Sequence, residues 1–180
     1  MLPFKGYKFL HSDTVDLTLR YQYNMTEKRF MQLAIVKTKE GIKKGQTPFG
    51  ACIVKDSEVI SSAHNVVWKN TDVTAHAEIN AIRKACRKLN SIDLSGCTIY
   101  CTTEPCPMCF GACHWARISK IIFGTTIEDS KESGFNELCI SNSKMKSAGY
   151  TDLEITGSFL RDDCLELFKI WANEKDNRPY

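Results

Sequence analysis

Thr102-Thr103-Glu104-Pro105-Cys106-Pro107-Met108-Cys109 is the stretch on which the reading of this chain turns. The residues before it, Cys97 to Cys101, are β-type. Those from Cys106 to Ala116 have helical character, with Pro107 tolerated in a first turn. Two cysteines three apart at a helix start occupy adjacent positions on one face. The unpaired backbone N–H groups there favour thiolate over thiol, and thiolate is the form that binds metal. Taken alone, Cys-x-x-Cys fits half a zinc knuckle, a redox pair or chance.

A second motif, Thr74-Ala75-His76-Ala77-Glu78, lies thirty residues earlier, at the start of a helix expected over Ala75 to Leu89 with Thr74 as its cap. Residues two apart within a helix do not share a face, so His76 and Glu78 converge only at the helix start. Two helix N-termini meeting over one ion would bring together His76, Cys106 and Cys109. Three protein ligands with a fourth position left to water distinguish catalytic from structural zinc. The expectation is one Zn2+ per chain. Zinc lowers the pKa of its bound water from about 9 for the aqueous ion to about 7. Glu78 beside it would take the proton and return it to the substrate. A rival is an iron–sulfur cluster: Cys101, Cys106 and Cys109 match plant-type ferredoxin spacing, with Cys139 as a distant fourth ligand. That reading leaves His76 and Glu78 without a role.

Working outward, the chain has 180 residues, one domain of ordinary size. Its 24 Lys+Arg against 21 Asp+Glu give a net charge of +3, which excludes a strongly basic nucleic-acid arm or an acidic tail. At 43% hydrophobic and 25% charged residues the composition is globular. No run approaches the roughly 18 apolar residues of a membrane span. His11, Ser12, Asp13 and Asp16 interrupt any signal-like stretch, so a cytoplasmic location is expected. Nine cysteines without an export signal point to metal or catalysis before disulfides. Cys52, Cys86, Cys97, Cys101, Cys113 and Cys164 read as small packing residues in strands and helices.

Residues 1–24 read as an N-terminal extension, and 25–180 as the folded domain. A helix is expected from Thr26, its cap, to about Lys44, with Gly45 as its stop. Phe49 to Val54 and Val59 to Ser62 form a hairpin around a polar turn. Lys120 to Phe123 and Leu153 to Thr156 are further strands. The stretch from Gly124 to Tyr150 reads as loop with short helical pieces, and Asp162 to Glu174 as a terminal amphipathic helix. This order implies a sheet covered by helices on both faces. Arg83, Lys84, Arg87 and Lys88 form a cationic strip on the second helix, read either as a solvated face or as a phosphate-tracking patch.

His-x-Glu followed by Pro-Cys-x-x-Cys resembles the zinc nucleobase deaminase signature. From about Thr26 to its end the chain resembles the cytidine-deaminase-like superfamily, most of all its small guanine deaminases and the related guanosine deaminases. The likeness rests on Thr74 to Cys86, Glu104 to Cys109 and Trp115-Ala116-Arg117. It implies an α/β fold, a three-layer α/β/α arrangement with a five-stranded mixed sheet, and hydrolytic replacement of an exocyclic amine by oxygen. On a purine this would convert guanine to xanthine plus ammonia. The resemblance further implies a base-binding role for Phe49, Asn65, Trp115 and Asp129. The ending Asp176-Asn177-Arg178-Pro179-Tyr180 resembles an aromatic-ended tail that closes the guanine deaminase active site in a domain-swapped dimer. A homodimer with Tyr180 as gate is therefore implied. The family's Gly-Phe is often followed by two aspartates; here Gly134-Phe135 precedes Asn136-Glu137. Residues 153–171 look instead like the end of tRNA adenosine deaminases, so a nucleic-acid substrate stands as the alternative to a small purine, with no membrane partner.

Overall fold

Alternating residues split between two helical layers in each central strand. Ala51, Ile53, Ile99, Cys101, Ile121 and Phe123 point to one core, and Cys52, Val54, Tyr100 and Ile122 to the other. This period of two is that of a sheet buried on both faces. The chain is described by a computed structural model from residue 12 onward, with side chains for residue 25 and residues 27–180.

Five strands, β1 (Gly50–Lys55), β2 (Glu58–His64), β3 (Thr98–Thr103), β4 (Lys120–Thr125) and β5 (Glu154–Thr156), form one sheet in the order β2-β1-β3-β4-β5. The β1/β2 and β1/β3 pairs are antiparallel, and β3/β4 and β4/β5 are parallel. The sheet is thus mixed and five-stranded, as expected. Asp56 and Ser57 close the β1–β2 hairpin with φ of 48° and 63°, the left-handed pair whose twist suits a two-residue hairpin.

Helices α1 (Ser12–Ile42) and α7 (Arg161–Ala172) cover one face; α3 (Ala77–Leu89) and α4 (Pro107–Trp115) cover the other. Two stretches differ from the sequence reading, at α1 and just after β2. Helix α1 runs without a break through Thr26, so that residue does not cap it; the helix ends at Ile42, and Gly45 turns the chain at a φ of 69°. The aromatic residues of the N-terminal extension lie outside the described residues up to position 11, and their side chains up to position 24. A one-turn α2 (Val67–Asn70) follows β2. The polar stretch after β4 contains α5 (Ile127–Glu132) and α6 (Asn142–Gly149), each with a hydroxyl cap, Thr126 and Ser141. Among the described residues no helix is long and apolar enough to cross a membrane.

Gly50 sets the distance between β1 and α1. A Cβ there would collide with Thr38 Oγ1 and with the Ala34 carbonyl oxygen at 2.6 Å. The glycine instead donates its N–H to Thr102 Oγ1 at 3.0 Å. This fixes the strand whose preceding residue, Phe49, walls the cleft described below.

Candidate active site

Two helix starts meet at the site. His76 is the N-cap of α3 and Cys106 the N-cap of α4, both in extended backbone conformation. Thr74, the cap expected from sequence, instead folds back on Asp72 through its N–H and hydroxyl at 2.8 and 2.7 Å. The cap position turns each side chain out beyond the helix axis. Cys109, one turn into α4, faces the same point. His76 Nδ1 lies 3.7 Å from Cys106 Sγ and 3.6 Å from Cys109 Sγ. Tetrahedral zinc with ordinary Zn–N and Zn–S lengths separates such donors by about 3.6 Å. The three residues therefore form a possible metal site whose donor set and spacing fit zinc. Among the described residues they are the one such cluster of His, Cys, Asp and Glu side chains. Cys101 is buried in β3 with the apolar core, and Cys139 is exposed, so the iron–sulfur reading has no support.

The electrostatics agree with a metal-binding role. A hydrogen bond from Cys109 brings the Cys106 thiol down to about 4, with His76 contributing. That pairing and burial raise Cys109 in turn, so the pair shares one ready thiolate and releases a second proton when a metal binds. Glu78, second residue of α3, is 7% exposed. Burial pushes its carboxyl up to about 7.

A cleft of about 320 Å³ opens beside His76 and Cys106. Phe49, Phe135 and Tyr180 supply aromatic walls, Val73, Met108 and Leu138 an apolar rim, and Glu137 a carboxylate. Tyr180 reaches its own chain's site: its ring centre lies 5.7 Å from that of His76. Its hydroxyl accepts from Asn65 Nδ2 at 2.6 Å, and its carbonyl accepts the Asn136 N–H at 3.0 Å.

The family described as the cytidine and deoxycytidylate deaminase zinc-binding region matches residues 24–125. The chain belongs to this family. It is 36% identical over 157 residues to the guanine deaminase of Bacillus subtilis, covering 87% of this chain and all of that protein. It is 46% identical over 110 residues to a tRNA-specific adenosine deaminase of Aquifex aeolicus, covering 61% of this chain and 72% of that one. Among solved structures, the guanine deaminase of Nitrosomonas europaea superposes with a TM-score of 0.71 at 26% identity, over 79% of this chain and 82% of that one. A structure from work on tRNA:A34 deaminases superposes at 0.69 and 30% identity, over 78% and 99%.

Not every base-contacting residue expected in this deaminase lies at the cleft. Phe49 lines it and is itself held edge-on by Phe135 at 4.8 Å. Asn65 is fully buried behind it, its donor engaged by Tyr180 and its Oδ1 accepting the Val67 N–H at 2.9 Å. Trp115 lies away from the cleft: it ends α4, far along the helix from Cys106, and is 84% exposed. Asp129 closes a capping box with Thr126 and is held by both terminal nitrogens of Arg161, and it does not line the cleft.

The carboxylate that does is Glu137, which sequence reasoning passed over. Ser130 Oγ donates to it at 2.9 Å, and burial raises its pKa. Its signal was present in the two residues after Gly134-Phe135. The cationic strip is partly spent on the fold, since Lys84 and Lys88 each donate to a β2 carbonyl, Ser62 and Val59, at 3.0 Å.

Proposed function

We propose that this enzyme hydrolytically deaminates a free aminopurine, with guanine converted to xanthine and ammonia as the preferred reaction. The observation that carries this reading is Glu137, the one carboxylate in a largely aromatic and apolar cleft that also presents Asn136 and has no Lys or Arg among its lining residues. An ionised carboxylate only accepts hydrogen bonds. It suits the N–H-rich edge of guanine, and the lining offers no Lys or Arg side chain to pair with a phosphate. The likeness to a guanine deaminase, over 87% of this chain and all of that protein, points the same way.

In this reading His76, Cys106 and Cys109 would hold zinc, which would supply the Lewis acidity that brings a water's pKa near neutrality. Glu78 carries a proton from water to the purine, ending on the departing amine as ammonia leaves and oxygen takes its place on carbon. Phe49 and Phe135 hold the flat base between edges and faces. Tyr180, positioned by Asn65, covers the cleft and keeps bulk water out. Because the tail covers the pocket of its own chain, a second copy is not required to close the site; the homodimer is tested separately by light scattering.

Ammonia release from guanine, guanosine, adenine and an anticodon stem-loop RNA, measured side by side, tests the proposal. Guanine should be turned over with the highest kcat/KM and little salt dependence. Preferential turnover of the RNA, falling steeply with salt, would replace the small-purine reading with the tRNA one.

A further inference from the structure

The C-terminal tail is gripped at a second point, away from the cleft. Trp68 Nε1 donates to the Arg178 carbonyl at 3.1 Å, and the Arg178 guanidinium carbon stands 3.9 Å from the centre of the Trp68 ring. The same indole meets Tyr180 at a steep angle, with ring centres 6.1 Å apart. Neither Trp68 nor Arg178 lines the cleft.

The element carrying Trp68 is itself tied to the site. The Val67 N–H is bound by Asn65 Oδ1, the Val66 N–H by the Ala75 carbonyl at 3.0 Å, and the Lys69 N–H by Gln46 Oε1 at 3.2 Å. One end of α2 thus leads to the side chain that holds the Tyr180 hydroxyl, and the Ala75 bond leads to the residue before His76. The tail facing it is exposed from Ala172 to Pro179 and returns to partial burial only at Tyr180. Few contacts hold such a segment, so each one counts in its opening equilibrium.

We propose that Trp68 is a positioning residue: it latches the tail and sets how often Tyr180 stands closed over the cleft. This rests on the reading of Tyr180 as the cover of the site. Losing a hydrogen bond and a partly exposed cation–π contact together shifts such an equilibrium by about tenfold. Trp68 touches no substrate in this arrangement, so its effect falls on binding and release.

The test compares full-length wild type with Trp68→Ala, Trp68→Phe and Arg178→Gln. Hydrogen exchange of residues 173–180 is read by mass spectrometry, alongside kcat, KM and Tm with guanine. In Trp68→Ala, tail exchange should rise about tenfold and KM by a similar factor. The kcat should stay within about twofold, and Tm should be nearly unchanged. Trp68→Phe keeps a ring for the guanidinium and should show only about a threefold effect, and Arg178→Gln should resemble Trp68→Ala. The Phe variant also separates the latch from any loss of folding in the Ala variant. Unchanged tail exchange overturns the latch whatever the substrate proves to be, and leaves the cover reading standing. Faster exchange with unchanged KM overturns the positioning role and shows that the tail does not cover the working site.

Discussion

Asp129 and Arg161 join α5 to α7 through two parallel hydrogen bonds, Nη1 to Oδ2 at 2.5 Å and Nη2 to Oδ1 at 2.7 Å. The Arg161 hydrogen bonds hold the Asp129 carboxyl down to about 2, with the Thr126 N–H and hydroxyl assisting. The folded pKa is below the unfolded value of about 3.9. The pair therefore adds stability above that value and loses it as pH falls toward 2. Asp129→Asn should lower the urea midpoint at pH 7, and the gap to wild type should shrink steadily below pH 4. A gap that stays constant down to pH 3 would remove the charge from the explanation.

Replacing Glu137 by Gln removes the charged acceptor from the cleft and keeps its length. A hydrogen bond to a charged group is worth about 1.5–3 kcal/mol, so kcat/KM for guanine should fall about ten- to a hundredfold with Tm little changed. Wild-type kinetics would sink the base-recognition role.

Glu78→Gln should keep zinc at one per chain by elemental analysis and lose turnover by at least about a thousandfold. Retained activity would move proton transfer to another group.

Trp115, exposed at the far end of α4, should tolerate Ala with kcat/KM within about twofold. A large loss would mean that it reaches the site of a second copy.

Chelation should destabilise the fold as a whole. His76 and Cys106 hold the N-cap positions of α3 and α4, yet neither side chain makes a capping hydrogen bond to its helix, so a metal held by both would tie the two helix starts together. Zinc at a thousandfold above its Kd contributes about 4 kcal/mol. Tm should fall on treatment with EDTA and return when zinc is restored.

The metal site was legible from sequence because it is local: a histidine and two cysteines at helix starts are both the pattern and the geometry. The sheet was legible because apolar runs such as Ile121-Ile122-Phe123 are bounded by turns. The pairing of Asp129 was not legible because its partner, Arg161, lies in another helix that no spacing rule connects to it. Glu137 was passed over because it sits in an irregular stretch, where its burial depends on Ser130 and on the Phe135 cluster. The continuation of α1 before Thr26 was hidden by a stretch without helical period, and Trp68 carries no motif at all.

Glu104 is the buried carboxylate two residues before Cys106. It accepts the Asn142 N–H at 2.7 Å and the Ile127 N–H at 3.3 Å, while Asn142 Nδ2 donates to the Pro105 carbonyl at 2.6 Å. The segment that delivers the cysteines is thus braced by residues beyond the 24–125 span that matches the family. During synthesis every metal donor leaves the ribosome before its brace does. A nascent chain can gather zinc at Cys109, but it acquires a rigid site only once Ile127 and Asn142 have emerged and docked.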